Sequence, residues 1–459
     1  MNQKRTLSER FDLPFWRAAI ALALPIAMQS LLTSCATLID TAMITGLGDA
    51  SVSAMGVAAR YSFFLNVVCY GFASGCAALL SQFWGAKEEK NLRRTLGLTL
   101  TLAMAFGLVM TVALAAFPRA LMAVFTDESE VITLGAAYLR AFSPAVPFLV
   151  FAQIVCAALR AVENVRVPLF SAALAVVVNV FLNWCLIFGN LGFPALGLRG
   201  AAIASAVGIG VQALFVLAAF LLGKNPYRGP ARDLFSFDRA FCRRHLSVST
   251  PVLLNETLWA IGSNIYVMVY ARQGVENHAG YTLYENIQQL FFVFFVGICG
   301  ACAIMVGMRV GRGDHEEAYR AARRFSIATP IFAAVLGLAM LLTREPILSL
   351  FPIESERTFA VASACLALYS VWLAFRMIPY TLICGIFRAG GDTKIGCLYD
   401  MIGLYGVGIP AVLVVGLLIK PDFVFIVAAM FLGEDLLKTY LCVRHFRSRK
   451  WIKQITAAK

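Results

Sequence analysis

The sequence predicts an all-α polytopic membrane protein: twelve transmembrane helices in two six-helix bundles, related by a pseudo-two-fold axis along the membrane normal. Three observations predict it. The 459-residue chain is 60% apolar and only 14% charged, where a soluble domain carries about 25% charged residues. Apolar stretches of about 18 residues or more recur along the whole length, each able to cross a ~30 Å hydrocarbon core. Finally, the second half of the chain repeats the first.

In chain order the expected spans are 15–45, 53–83, 92–116, 130–158, 168–188 and 198–223. After a polar connector come 246–271, 279–309, 318–342, 359–387, 396–419 and 422–443. Several runs exceed the minimum, which implies tilt or kinking rather than extra spans. Pro25, Pro144, Pro147, Pro251 and Pro379 lie inside spans, where neighbouring helices must satisfy the carbonyls they free.

The repeat is read by sliding the chain 226 residues. Pro25 then falls on Pro251, Gly48 on Gly274, Gly71 on Gly297, Cys76 on Cys302 and Gly85 on Gly311. The run Glu128-Ser129-Glu130 meets Glu354-Ser355-Glu356, and after a two-residue shift LRAVEN (159–164) meets FRAGGD (387–392). The expected division is therefore 1–223 and 245–459, six helices each, joined by a connector at 224–244. Six is even, so both halves enter the membrane with the same polarity. Parallel repeats of this kind suit alternating access.

The +13 net charge is no nucleic-acid signature, because of where it sits. With the N-terminus placed in the cytoplasm, 29 of the 39 Lys and Arg fall in cytoplasmic segments, 6 in outer loops and 4 within spans. That asymmetry predicts cytoplasmic termini on both ends of a multi-pass plasma (inner) membrane protein of bacterial type. The first apolar run is about twice a signal h-region and is expected to stay as a first helix. Twelve cysteines are scattered through the spans, so structural disulfides are not expected; Cys299 and Cys302 read as helix packing. No phosphate-binding loop or metal-protease pattern is present. The chain is thus expected to be neither an ATP-driven pump nor an enzyme, to need no cofactor, and to draw on an ion gradient.

One residue stands out. Asp40 lies near the end of the apolar run that begins at Phe15, and a carboxylate there costs about 2.5 kcal/mol on insertion scales. Such a residue needs a partner and a task.

Here the chain resembles the multidrug and toxic compound extrusion (MATE) transporters. The resemblance rests on LALPIAMQSLL…LIDTAMITGLG, GFASGCAALLSQFWGAKEEKNLRR, LRAVENVRVP, GLRGAAIAS and GIFRAGGDTK. It implies an antiporter that exports organic, typically cationic and amphipathic, compounds in exchange for H⁺ or Na⁺. It also implies a cation site in the N-terminal half, whose matching positions here are Asp40, Asn179, Asn183 and Ser205. Ser205 stands where the family pattern has Thr, and Asn183 where it has Asp, so one negative charge is missing. With one carboxylate, proton coupling is favoured over tight Na⁺ binding; no metal site is expected beyond a Na⁺ at Asp40.

Helix geometry supports the cluster. Asp40 precedes Gly46, Asn183 precedes Gly189 and Ser205 follows Gly200 by similar counts, which at 1.5 Å per residue sets all three roughly 8–9 Å inside the outer helix ends. Asn179 is one turn deeper on the Asn183 face. Pro25 is the expected hinge of the first helix. In the second half Tyr266 takes the place of Asp40, while Glu256 and Arg376 fall near mid-span. Those two either pair with each other or form a second cation or substrate site. The Glu434, Asp435 and Lys438 group reads as local pairing. The expected partners are small organic substrates and membrane lipids, with no nucleic acid, for a monomer. The alternative reading is an exporter or flippase of larger amphiphiles such as lipid-linked sugars, which a markedly basic cavity would favour.

Overall fold

The computed structural model describes residues 12–223, 225–351, 353 and 355–456. Twelve long helices dominate them. They are α1 (Leu13–Thr45), α2 (Asp49–Gly85), α3 (Glu89–Ala116), α4 (Ser129–Ala161), α5 (Arg166–Phe188), α6 (Leu198–Leu222), α7 (Arg239–Ala271), α8 (Val275–Gly311), α9 (His315–Leu348), α10 (Glu356–Phe387), α11 (Thr393–Ile419) and α12 (Phe423–Ser448). The first eleven are each long and apolar enough to cross a membrane. α12 has the length, 26 residues, but Glu434, Asp435 and Lys438 dilute its apolar character. Those charges meet ionic partners inside the fold.

The repeat is visible in the helices themselves. α1 and α7 are both 33 residues and α2 and α8 both 37. Gly48 and Gly274 turn the chain into α2 and α8 at φ 94° and 107°, a backbone region that favours glycine.

By packing, the chain divides within α1 and α7. Gln29–Thr257 form one compact unit; Leu258–Lys459 with the chain up to Met28 form the other. Each cut falls a few residues beyond a proline, Pro25 or Pro251. The polar connector at 224–244 lies within the Gln29–Thr257 unit. The connector is anchored in the first unit: Arg93 Nε meets Asp233 Oδ2 at 3.1 Å, and the Tyr227 hydroxyl donates to the Ala158 carbonyl at 2.8 Å.

In the Gln29–Thr257 unit, α6 carries Gly200, Ala204 and Gly208 at every fourth position, a small-residue stripe that lets helix backbones approach. A Cβ on Gly200 would stand 2.4 Å from the Leu186 carbonyl oxygen of α5. α2 likewise takes the inner part of α7 at Gly71, where a Cβ would meet Leu253 Cδ1 at 2.8 Å.

In the other unit the repeat-related contact recurs. A Cβ on Gly297 of α8 would lie 2.5 Å from the Ala23 carbonyl oxygen and 2.8 Å from Ala27 Cβ of α1. The core there is aromatic, with Tyr270, Tyr284, Tyr369 and Phe431 almost fully buried. α10 ends in a π-helical turn (Thr381–Phe387), and α11 contains two more, Ile402–Gly408 and Val414–Ile419. Cys299 and Cys302 are buried, Cys299 Sγ reaching Thr381 Oγ1 at 4.0 Å. After α12 the chain folds back: Trp451 is fully buried and the Lys453 amide donates to the Gly390 carbonyl at 2.7 Å.

Candidate functional site

The four residues singled out in the first half meet in space. The Asn183 amide Nδ2 donates to Asp40 Oδ1 at 2.5 Å and to Asn179 Oδ1 at 3.4 Å. The Asn179 Nδ2 donates in turn to Ser205 Oγ at 3.2 Å. Asp40 comes from α1, both asparagines from one face of α5, and Ser205 from α6. The close α5–α6 packing makes the last link, since a Cβ on Gly208 would sit 3.1 Å from Asn179 Cβ. Asn183 is fully buried and Asn179 nearly so.

Two features govern what this row of groups can do. Among the described residues Asp40 makes no ion pair; the partner of its charge is a neutral amide. And the other end of that amide, Asn183 Oδ1, is buried without a hydrogen-bond partner. An unmet acceptor in an apolar interior is costly. It marks the place where a proton-bearing or cationic group would be welcome. Among the described residues no three His, Cys, Asp or Glu side chains converge to hold a metal ion.

The MatE family model matches residues 25–185 and 251–414. The chain belongs to the MATE family. It is similar to a probable multidrug resistance protein NorM of Thermotoga maritima, 24% identical over 95% of this chain and 93% of the relative. Multidrug and toxin extrusion protein 1 of Xenopus tropicalis is 25% identical over 89% of this chain and 70% of its own. A solved MOP superfamily transporter from Pyrococcus furiosus superposes with a TM-score of 0.85 at 18% identity, over 94% of this chain and 96% of that one. The protein is a membrane transporter, not an enzyme, of a multidrug efflux family.

Elsewhere in this MATE transporter, a second polar centre lies in the Leu258–Lys459 unit. Arg376 of α10 is engaged by Asp435 Oδ2 at 2.9 Å and Glu434 Oε2 at 3.7 Å, both on α12. Lys438 Nζ lies 2.8 Å from Glu434 Oε1, 3.3 Å from Asp400 Oδ1 and 3.4 Å from Asp435 Oδ1. Trp372 Nε1 donates to Asp435 Oδ2 at 3.0 Å. Arg376, expected to act with Glu256, thus has its charge met by α12. The α12 carboxylates, read as pairing within their own helix, do so through Lys438 but also reach α10, and Lys438 itself reaches Asp400 of α11. Three carboxylates face two cations, and Asp435 is fully buried.

The sequence reading missed two further features. Thr33, Thr37, Thr41 and Thr45 each bond their hydroxyl to the carbonyl four residues back, a ladder along the C-terminal part of α1. Such back-bonding loosens and bends helices, and the spacing of four was legible. Gly408 in the π turn of α11 lets Tyr266 approach: a Cβ there would stand 2.3 Å from the Tyr266 hydroxyl and 3.3 Å from Glu434 Cβ. Tyr266, the repeat counterpart of Asp40, therefore borders the second centre.

Proposed function

We propose that this transporter is a secondary antiporter that exports organic, cationic amphipathic compounds in exchange for protons, with Asp40 as the coupling carboxylate. The observation that carries this reading is the lone carboxylate held by a neutral amide whose oxygen is unmet. Asp40 is part-buried, and a carboxylate withdrawn from water without a counter-charge is costly, so it favours taking up a positive charge. A proton and a cationic substrate then compete for the same oxygen. The Asn183 amide serves both states: its NH₂ donates to the carboxylate, and after a half-turn of the amide its oxygen accepts from the carboxylic acid. A second aspartate at 183 would not offer that exchange.

α1 is the element that moves. Pro25 removes one rung of its ladder and the threonine series softens the rest. Protonation of Asp40 releases the pull toward α5, and the helix responds on its outer side. The positive-inside distribution supports cytoplasmic termini, and with that orientation export runs toward the α1–α2 turn.

The flippase alternative calls for a basic site suited to anionic head groups. The second centre, with three carboxylates to two cations, supports the cation exporter instead. The test is antiport of a fluorescent organic cation in proteoliposomes under an imposed pH gradient or an imposed Na⁺ gradient. Transport driven by the pH gradient and lost in Asp40→Asn is the expected result. Transport driven by Na⁺ alone overturns the proton assignment, and movement of lipid-linked sugar without cation antiport overturns the substrate class.

A further inference from the structure

The last helix carries a feature that the transport reading does not use. Leu436, Tyr440, Val443, Arg444 and Arg447 of α12 recur at helical spacing along one side. With Thr439 and Phe375 of α10 they line a cavity of about 490 Å³. Its wall is apolar, and Leu436 and Tyr440 are 50% and 61% exposed. Its end is basic, with both arginines in the last turns of the span. From Leu436 to Arg447 the helix rises about 16 Å, roughly half of a hydrocarbon core, or one leaflet.

Three observations bear on what fills it. Among the described residues neither Arg444 nor Arg447 forms an ion pair, although Arg449 just beyond is paired with Glu316. Thr439 is only 7% exposed, lines the cavity, and its hydroxyl has no hydrogen-bond partner. Thr329 and Thr381, by contrast, tuck theirs onto the carbonyl four residues back. The unmet hydroxyl lies one to two turns deeper than the arginines, at the level of a glycerol ester rather than of a head group.

We propose that this cavity is a binding site for one anionic phospholipid. The phosphate sits between Arg444 and Arg447, the Thr439 hydroxyl, enclosed as it stands, turns toward the cavity to donate to an ester oxygen, and an acyl chain runs along Phe375, Leu436 and Tyr440. Basic pockets at the membrane edge of helix bundles bind lipid head groups in this way. Charge complementarity selects an anionic lipid over a zwitterionic one, whose ammonium would face two unneutralised guanidiniums. The apolar wall selects a lipid over free phosphate. The inference is independent of the coupling ion and of which membrane face this end of α12 meets.

The test is native mass spectrometry of the full chain released from mixed phosphatidylglycerol and phosphatidylcholine micelles. Wild type is compared with Arg444→Gln/Arg447→Gln, with Thr439→Val, and with Arg320→Gln/Arg323→Gln as a control of equal charge change. Wild type is expected to retain one phosphatidylglycerol in roughly 30-fold preference, about fivefold per cation. The Arg444→Gln/Arg447→Gln preference falls to near parity, Thr439→Val loses a few-fold, and the control matches wild type. Equal retention of both lipids by the wild-type protein overturns the proposal without reference to any variant. So does a preference that survives in the folded Arg444→Gln/Arg447→Gln protein, or one that the control loses equally.

Discussion

At the scale of residues, the proposed coupling site is a single carboxylate with amide and hydroxyl neighbours, and two of those neighbours make separate predictions. Ser205→Ala removes the hydroxyl that accepts from Asn179; a lost neutral hydrogen bond of about 1 kcal/mol should weaken cation binding about fivefold without abolishing antiport. Asn183→Asp puts a second carboxylate beside Asp40. It should confer a Na⁺-dependent rise in thermal stability that the wild type lacks, read by melting in NaCl against choline chloride; no difference between the salts refutes it. In the second centre, Arg376→Met leaves buried Asp435 with Trp372 Nε1 and, as its one cation among the described residues, Lys438. Removing one partner of a buried pair costs about 3–5 kcal/mol, so the melting temperature should drop well below wild type, and Arg376→Met/Asp435→Asn should recover part of the loss. The sequence made the first site readable because its residues sit in recognisable local motifs and at matched helical depth. It did not reveal the partners of Arg376. That pairing spans 59 residues of chain, and nothing local distinguishes a carboxylate that pairs within α12 from one that also reaches α10.

At the scale of elements, glycines set how helices meet. Gly71 and Gly297 occupy the same place in the repeat, and each accepts a helix backbone where a Cβ would be too close. Gly297→Val should therefore displace the inner part of α1 from α8 and abolish transport, with a lower melting temperature; a fully active Gly297→Val protein would contradict the packing account. Helix spans were legible from hydropathy, including α12 despite its three charges. The π turns of α10 and α11 were not; in the first π turn of α11, Gly403 and Gly408 fit against α12 and Tyr266, contacts that no local propensity encodes. The division within α1 and α7 was likewise hidden, since composition marks the polar connector and says nothing about which bundle a helix half joins. Outside the membrane, the segment after α12 is held by Asp392, which accepts from His445 Nε2 at 2.9 Å and Lys453 Nζ at 2.8 Å. Burial raises the Asp392 carboxyl, but these hydrogen bonds outweigh it and hold the group below the usual carboxylate range. A depressed carboxylate contributes stability above its unfolded value, about 3.9, and loses it as pH falls through the lower folded value. Amide exchange at Trp451–Lys453 should therefore stay slow from neutral pH to about 4 and accelerate below it.

At the scale of the whole molecule, the chain is a MATE transporter whose two repeats have diverged chemically. The first holds a lone carboxylate among neutral groups, the proposed place where one charge is exchanged for another. The second has Tyr266 at the corresponding position and ties its buried charges into ion pairs with one another, which suits a support rather than an exchange site. If Asp40 is where proton and substrate compete, binding of an organic cation must expel a proton from the protein, by the reciprocity of linked equilibria. The direct measurement is proton release on adding a cationic substrate to the purified transporter in weakly buffered solution. About one proton per cation bound, absent in Asp40→Asn, is the result this account predicts. Cation binding with no proton released, or equal release from Asp40→Asn, would contradict it.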